Sequence, residues 1–216
     1  MPFAQKERSN MPSIYALKPR FQSLLRPAVN ALAKIGASAN QITLTALALS
    51  FACGATIAFW NDRRAMLLLP AVLLLRMALN AMDGMMAREH NQKTPLGAIL
   101  NELCDVISDA ALYLPLARVP GFSFWLVATV VILSTLTEMA GVIGVQIGAS
   151  RRYDGPLGKR DRAFVFGVLG LLLGAGVPIQ SALPYVLWCL ILLLAITVLN
   201  RCREALRELA ASGRNR

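Results

Sequence analysis

Five polar residues in this 216-residue chain have types and spacing that could do chemistry in an otherwise apolar setting. Asn80 and Asp83 stand three apart, and Asn101, Asp105 and Asp109 follow at intervals of four. Both sets lie inside apolar stretches, at about 65–87 and 97–117. Such intervals place side chains along one face of a helix. Glu102 and Ser108 flank the second set. A carboxylate is costly in hydrocarbon, so acids in such stretches face a protein interior and mark function. Opposed carboxylates and amides supply hard oxygen donors suited to Mg2+ or Mn2+ rather than zinc. A buried polar network that only fixes helix packing would use the same residue types. Other chemistries have less to work with. Cys53, Cys104, Cys189 and Cys202 are scattered without CxxC spacing, and His90 is the only histidine. A zinc site, a redox pair and a histidine-dependent triad therefore lack support.

The elements that must carry these residues follow from composition. Hydrophobic residues make up 56% of the chain and charged residues only 16%, yet the net charge is +10. Soluble domains are less apolar and more charged. A nucleic-acid binder can be this basic but is seldom this apolar, so no nucleic-acid partner is expected. Six apolar stretches, at about 42–60, 65–87, 97–117, 122–148, 163–179 and 182–199, each approach the roughly 20 residues a spanning helix needs. The last two are divided by Gly174, Gly176, Pro178 and Gln180, which reads as a tight hairpin. Ahead of them, Phe21, Leu24, Leu25, Ala28, Leu32 and Ile35 recur near helical spacing between cations, which predicts an amphipathic helix over about 16–36. The expected fold is an all-α integral membrane protein, six transmembrane helices preceded by an amphipathic interfacial helix. Its parts are a cytoplasmic N-terminal segment with the juxtamembrane helix (1–38), a six-helix transmembrane catalytic domain (39–200) and a cytoplasmic basic tail (201–216). No cleavable signal peptide is evident. Eighteen of the 22 Lys and Arg collect on one side of this layout, three on the other, and Arg76 lies within the second span. That bias predicts cytoplasmic termini and a bacterial inner-membrane location.

The run Asn80-Ala-Met-Asp83-Gly84-Met-Met-Ala87-Arg88, then Gly97, Asn101 and Asp105, resembles the CDP-alcohol phosphotransferase signature D-x2-D-G-x2-A-R-x8-G-x3-D-x3-D with every spacing kept. Asn40 and Thr43 resemble the short Asn/Thr element that opens the first span in this family. The resemblance implies transfer of a phosphatidyl or other phosphoalkyl group from a CDP-alcohol, usually CDP-diacylglycerol, to an acceptor hydroxyl, with release of CMP, in phospholipid biosynthesis. It implies that Asn80, Asp83, Asn101 and Asp105 surround two Mg2+ or Mn2+ ions and that Asp105 is the general base. Asn40, Thr43, Gly84, Ala87, Arg88 and Gly97 would contact substrate, and a homodimer is implied.

Two departures stand out: positions 80 and 101, acidic in the signature, are asparagine, and Glu102 and Asp109 are the auxiliary acids that could restore the charge. Helix depth assigns Asp109 differently. At about 1.5 Å per residue, Asp109 and Arg76 both lie about 18 Å below the helix ends at Gly97 and Arg88. Asp109 is therefore expected to be the counter-ion of Arg76, with Glu138 as the rival partner. Lys159, Arg160 and Arg162, in the basic segment 151–162, form a candidate anion pocket for an acceptor phosphate. Lipid contact and membrane orientation alone would also account for such a segment. Glycerol 3-phosphate, an inositol phosphate, serine or a simple polyol would each serve as acceptor. The first rival is a degenerate homologue acting in membrane binding or assembly; a small transporter is the second.

Overall fold

The computed structural model describes residues 14–213 apart from Asn61. Lys6, Arg8, Arg214 and Arg216 of the expected basic termini lie outside the described residues. Among the described residues seven helices run in chain order: α1 (Ile14–Lys34), α2 (Ala39–Phe59), α3 (Leu68–Glu89), α4 (Pro95–Tyr113), α5 (Phe124–Gln146), α6 (Lys159–Gly174) and α7 (Leu183–Gly213). Two short 3-10 turns, Arg63–Leu67 and Leu114–Arg118, lead into α3 and follow α4. Strands are absent among the described residues.

Local chemistry sets the helix ends that matter for function. Ser38 and Gln41 form a reciprocal capping box at the start of α2, with bonds of 2.8 and 3.2 Å. Thr94 caps α4 by accepting the Gly97 N–H at 2.9 Å, and Pro95 occupies the first turn, where its missing N–H costs nothing. The Gln92 side chain bonds Ala39 N and Ala37 O, which ties the α3–α4 turn to the entry of α2. At α6, the Asp161 carboxylate accepts the Gly158 N–H at 2.8 Å and starts the helix four residues before its apolar run.

Up-and-down connectivity brings the starts of α2, α4 and α6 to one end of the bundle with the ends of α3 and α5. α2 packs on α3 and α4, α3 on α6, and α5 on α7. The main core holds Leu69, Leu112, Tyr113, Phe166, Leu187 and Leu194, with Tyr113 stacked on Phe166 at 4.1 Å between centroids. A smaller apolar cluster docks α1 on α3 through Val29, Met82, Met85 and Met86, and Arg26 adds a 3.0 Å ion pair to Glu89. Four segments are long and apolar enough to cross a membrane: Ala39–Phe59, Arg63–Glu89, Phe124–Gln146 and Leu183–Ser212. Their outward faces expose Phe51, Leu74, Ile132, Trp188 and Leu192. Phe59, Trp60, Trp125 and Tyr185 are exposed at the opposite end of the bundle, as in the aromatic belt of a membrane interface. Of the other three described helices, α4 and α6 differ from these in composition and length. α4 carries Glu102, Asp105 and Asp109, and α6 has only 16 residues.

The boundary expected at residue 200 falls inside α7, which continues to Gly213 because nothing between Asn200 and Gly213 breaks a helix. Arg201 and Ala205 in this continuation are buried. The spaced glycines serve contacts within the chain. Gly170 and Gly174 bring α6 against Met66, Leu67 and Pro70. Gly54 lets α2 approach α4 so closely that a Cβ would collide with the Ala111 carbonyl oxygen. Backbone cannot give way as a side-chain end can. Gly54→Ala is expected to cost about 1–3 kcal/mol. Thermal unfolding in detergent should show this against Gly167→Ala, whose new methyl would meet nothing nearer than 3.8 Å.

Candidate active site

The polar residues of α3 and α4 meet near the end of the bundle where α2, α4 and α6 begin. Thr43, one turn into α2, is buried and donates its hydroxyl to Asp83 Oδ2 at 2.9 Å while Oγ1 also bonds Ala39 O at 3.2 Å. Asn80, one turn before Asp83 on α3, donates Nδ2–H to Asp105 Oδ1 at 2.8 Å. Lys159, the first residue of α6, pairs its ammonium with the same Asp105 oxygen. Among the described residues Asp105 Oδ2 accepts no hydrogen bond from the protein. Asn101 stands one turn before Asp105 on α4 and is half-buried. Gly97 faces Asn40, since a Cβ there would lie 2.9 Å from Asn40 Oδ1. A shallow cleft of about 230 Å³ opens beside it, lined by Ser38, Ala39, Asn40, Gln92 and Thr94. Arg88 is exposed, and its guanidinium folds over Gly84.

A second polar layer lies deeper. Arg76 Nη1 donates to Asp109 Oδ1 at 2.5 Å, the pairing anticipated from helix depth. Its Nη2 donates to the Asp105 backbone carbonyl at 2.8 Å, so the same side chain holds the helical turn that carries Asp105. The second oxygen of Asp109 accepts from Arg162 Nη2 at 2.9 Å. Arg162 reaches on to Glu138 Oε1 at 3.4 Å and to the Thr137 hydroxyl at 3.2 Å. Arg201 pairs with Glu138 Oε2 at 3.7 Å and donates to the Thr137 carbonyl. Arg76, Asp109, Arg162, Glu138 and Arg201 therefore form one chain of charge through five helices, α3 to α7.

This layer changes several expectations. Glu138 is not the partner of Arg76; it serves Arg162 and Arg201. Arg76 is one of three buried guanidinium groups, because Arg162 and Arg201 are enclosed as well. Arg162, expected to face an acceptor phosphate, is 0% exposed, and its two terminal nitrogens are taken by the chain's own oxygens. Glu102 turns away to pair with Arg151. Asp109 is taken up by two arginines, so neither auxiliary acid joins Asp83 and Asp105. Among the described residues no group of three or more His, Cys, Asp or Glu is placed to hold a metal ion. Any such ion must use the two carboxylates together with the amide oxygens of Asn80 and Asn101. That set of hard oxygens suits Mg2+ or Mn2+, which commonly take one or two carboxylates plus substrate phosphates.

A helical bundle with apolar outer faces, Asp83 and Asp105 lying toward one end, is the architecture of a protein embedded in a membrane. The sequence profile of the CDP-alcohol phosphatidyltransferase family matches residues 37–200, and the chain belongs to that family. It is 48% identical over 195 residues to the inner membrane protein YnbA of Escherichia coli, covering 90% of this chain and 96% of that one. Identity to the phosphatidylinositol phosphate synthase of Mycobacteroides abscessus is 26% over 190 residues, covering 84% of this chain and 83% of the other. The fold is shared with crystal structures of phosphatidylinositol phosphate synthase from Mycobacterium tuberculosis at 22% identity. The form with CDP-DAG bound gives a TM-score of 0.69 and covers 84% of this chain and 91% of that one. The complex with manganese and citrate gives 0.70, covering 83% and 87%. The apolar spans and the inner-membrane relative together make this a multi-pass membrane protein.

Proposed function

We propose that the protein transfers a phosphatidyl or related phosphoalkyl group from a CDP-diacylglycerol-like donor to the hydroxyl of a small alcohol, releasing CMP. The observation that carries this reading is the bond from Asn80, one turn before Asp83 on α3, to Asp105 on α4, with Thr43 of α2 on Asp83 and Lys159 of α6 on Asp105. In this reading Asn80, Asp83, Asn101 and Asp105 hold two Mg2+ or Mn2+ ions. Bound there, the ions supply neutralisation of the pyrophosphate charge. Asp105 Oδ1 is occupied by Asn80 and Lys159, so Oδ2 is the oxygen that takes the acceptor proton. The acceptor oxygen forms a bond to the phosphorus of the transferred group as the bond to CMP breaks, and CMP departs with that electron pair. Asn40, Thr43, Gly97 and the adjoining cleft receive the donor head. Gly84 and Ala87 leave room for it, and Arg88 meets its phosphates. Lys159 and Arg160 line the acceptor side.

In the proposed placement all six helices after α1 cross the membrane. The acids of α4 then meet the arginines of the core instead of lipid. α1 lies at the interface, both termini face the cytoplasm and the site opens to that leaflet. The protein works as a homodimer in contact with membrane lipids.

The test is release of CMP from CDP-diacylglycerol by purified protein with Mg2+ or Mn2+ across a panel of acceptors. Asp83→Ala should abolish it. Thr43→Val removes the hydroxyl that orients Asp83 and should weaken Mn2+ binding about 10–100-fold, as loss of outer-shell partners does. Titration of Mn2+ followed by its electron-spin signal checks this without turnover. A second reading, a homologue retained for membrane binding or assembly, draws on the amides at 80 and 101 and on Lys159 already paired with Asp105. It predicts no CMP with any acceptor.

A further inference from the structure

The basic segment 151–162 looks like an anion trap in sequence, but four of its five cations are already committed. Arg151 pairs with Glu102 through Nη1 and Nη2. Arg152 is held by Asp154 at 2.8 Å and by Glu208 at 2.7 Å. Lys159 pairs with Asp105, and Arg162 with Asp109 and Glu138. Among the described residues Arg160 is the one cation of the five without a carboxylate partner. The first turn of α6 offers no substitute, because Asp161 already takes the Gly158 N–H. A phosphate monoester carries about −1.5 to −2 charges at neutral pH. The exposed Arg160 apart, to grip one this mouth would have to break an internal ion pair and leave the released carboxylate beside the incoming phosphate. Like charges so placed oppose binding. The donor side differs: Arg88 is exposed and has no carboxylate partner among the described residues, so a pyrophosphate still finds a free guanidinium.

We propose that the acceptor is an uncharged alcohol, a polyol without a phosphate group, selected by the self-neutralised pair of Glu102 and Arg151 at this mouth. The proposal rests on the transferase reading above and narrows its substrate class. Two alcohols, glycerol and inositol, are compared with their monophosphates as acceptors for the full chain with Mg2+ and CDP-diacylglycerol. The neutral member of each pair should give a kcat/KM at least about tenfold higher. Glu102→Gln releases Arg151 and should shift that ratio about tenfold toward the phosphorylated member. In parallel, glycerol 3-phosphate is titrated calorimetrically into each protein. Binding should appear in Glu102→Gln and vanish again when Arg151→Ala is added. Preference of the unaltered protein for the phosphorylated acceptors, or binding of glycerol 3-phosphate to it that Arg151→Ala weakens, would overturn the proposal. Absence of CMP release with every acceptor defeats the transferase reading instead, and the calorimetric comparison then still decides whether the mouth excludes phosphate esters.

Discussion

Asp105→Asn should lower CMP release by about 10²–10⁴-fold while leaving the protein folded, because it removes the proton acceptor and one charged ligand while keeping the shape of the side chain. Asp105 is half-buried, and its Oδ1 already accepts from Asn80 and Lys159. An asparagine can keep both contacts through its amide oxygen and present an NH2 group where Oδ2 was. The shape of the site survives, but no group there can take the acceptor proton. Thermal unfolding of the variant should match the parent within a few degrees, so a rate still lost at saturating Mn2+ reports chemistry. Single-turnover measurement of CMP with a saturating acceptor is the decisive assay. An undiminished rate would remove Asp105 from the role of base.

The largest effect on stability is expected at Asp109→Ala. Asp109 is buried and faces Arg76 at 2.5 Å and Arg162 at 2.9 Å. Without it, two guanidinium groups remain enclosed, and Glu138 is the only acid left to share between Arg162 and Arg201. Removing one partner of a buried ion pair costs about 3–5 kcal/mol, because the other charge is left uncompensated. For a chain of this size the thermal midpoint should fall on the order of 10 °C. Folded yield from the membrane should fall with it. Replacing the pair together, Arg76→Met with Asp109→Leu, should recover part of that loss. Turnover should not recover with it, since Arg76 also holds the backbone carbonyl of Asp105.

Much of this arrangement could be read from residue types and spacing. The intervals from Asn80 to Asp83 and from Asn101 through Asp109 placed the polar faces of α3 and α4. Counting depth along two antiparallel helices matched Arg76 with Asp109. What escaped was the company of Arg162 and Arg201. Arg162 reads as a loop residue if α6 starts with the apolar run at Ala163. The structure starts that helix at Lys159, and the extra turn carries Arg162 into the core. The signal was present in Asp161, three residues after Gly158, where an acid can cap a helix start. Arg201 was missed similarly, because α7 does not stop where its apolar run does. The pairing of Glu102 with Arg151 depends on how the α5–α6 loop folds over α4, and sequence periodicity carries no information on that.

The chain of charge from Arg76 to Arg201 also constrains the order of biogenesis. Arg76 on α3 meets its acid one helix later, so those two segments can enter the bilayer together as a hairpin with their charges matched. Glu138 on α5 has partners only on α6 and α7, which are synthesised after it. A nascent chain paused before Lys159 therefore carries an unmatched carboxylate in α5 and an Asp109 lacking its second arginine. In the proposed six-span placement, release into lipid before the C-terminal hairpin arrives would leave these charges unmatched.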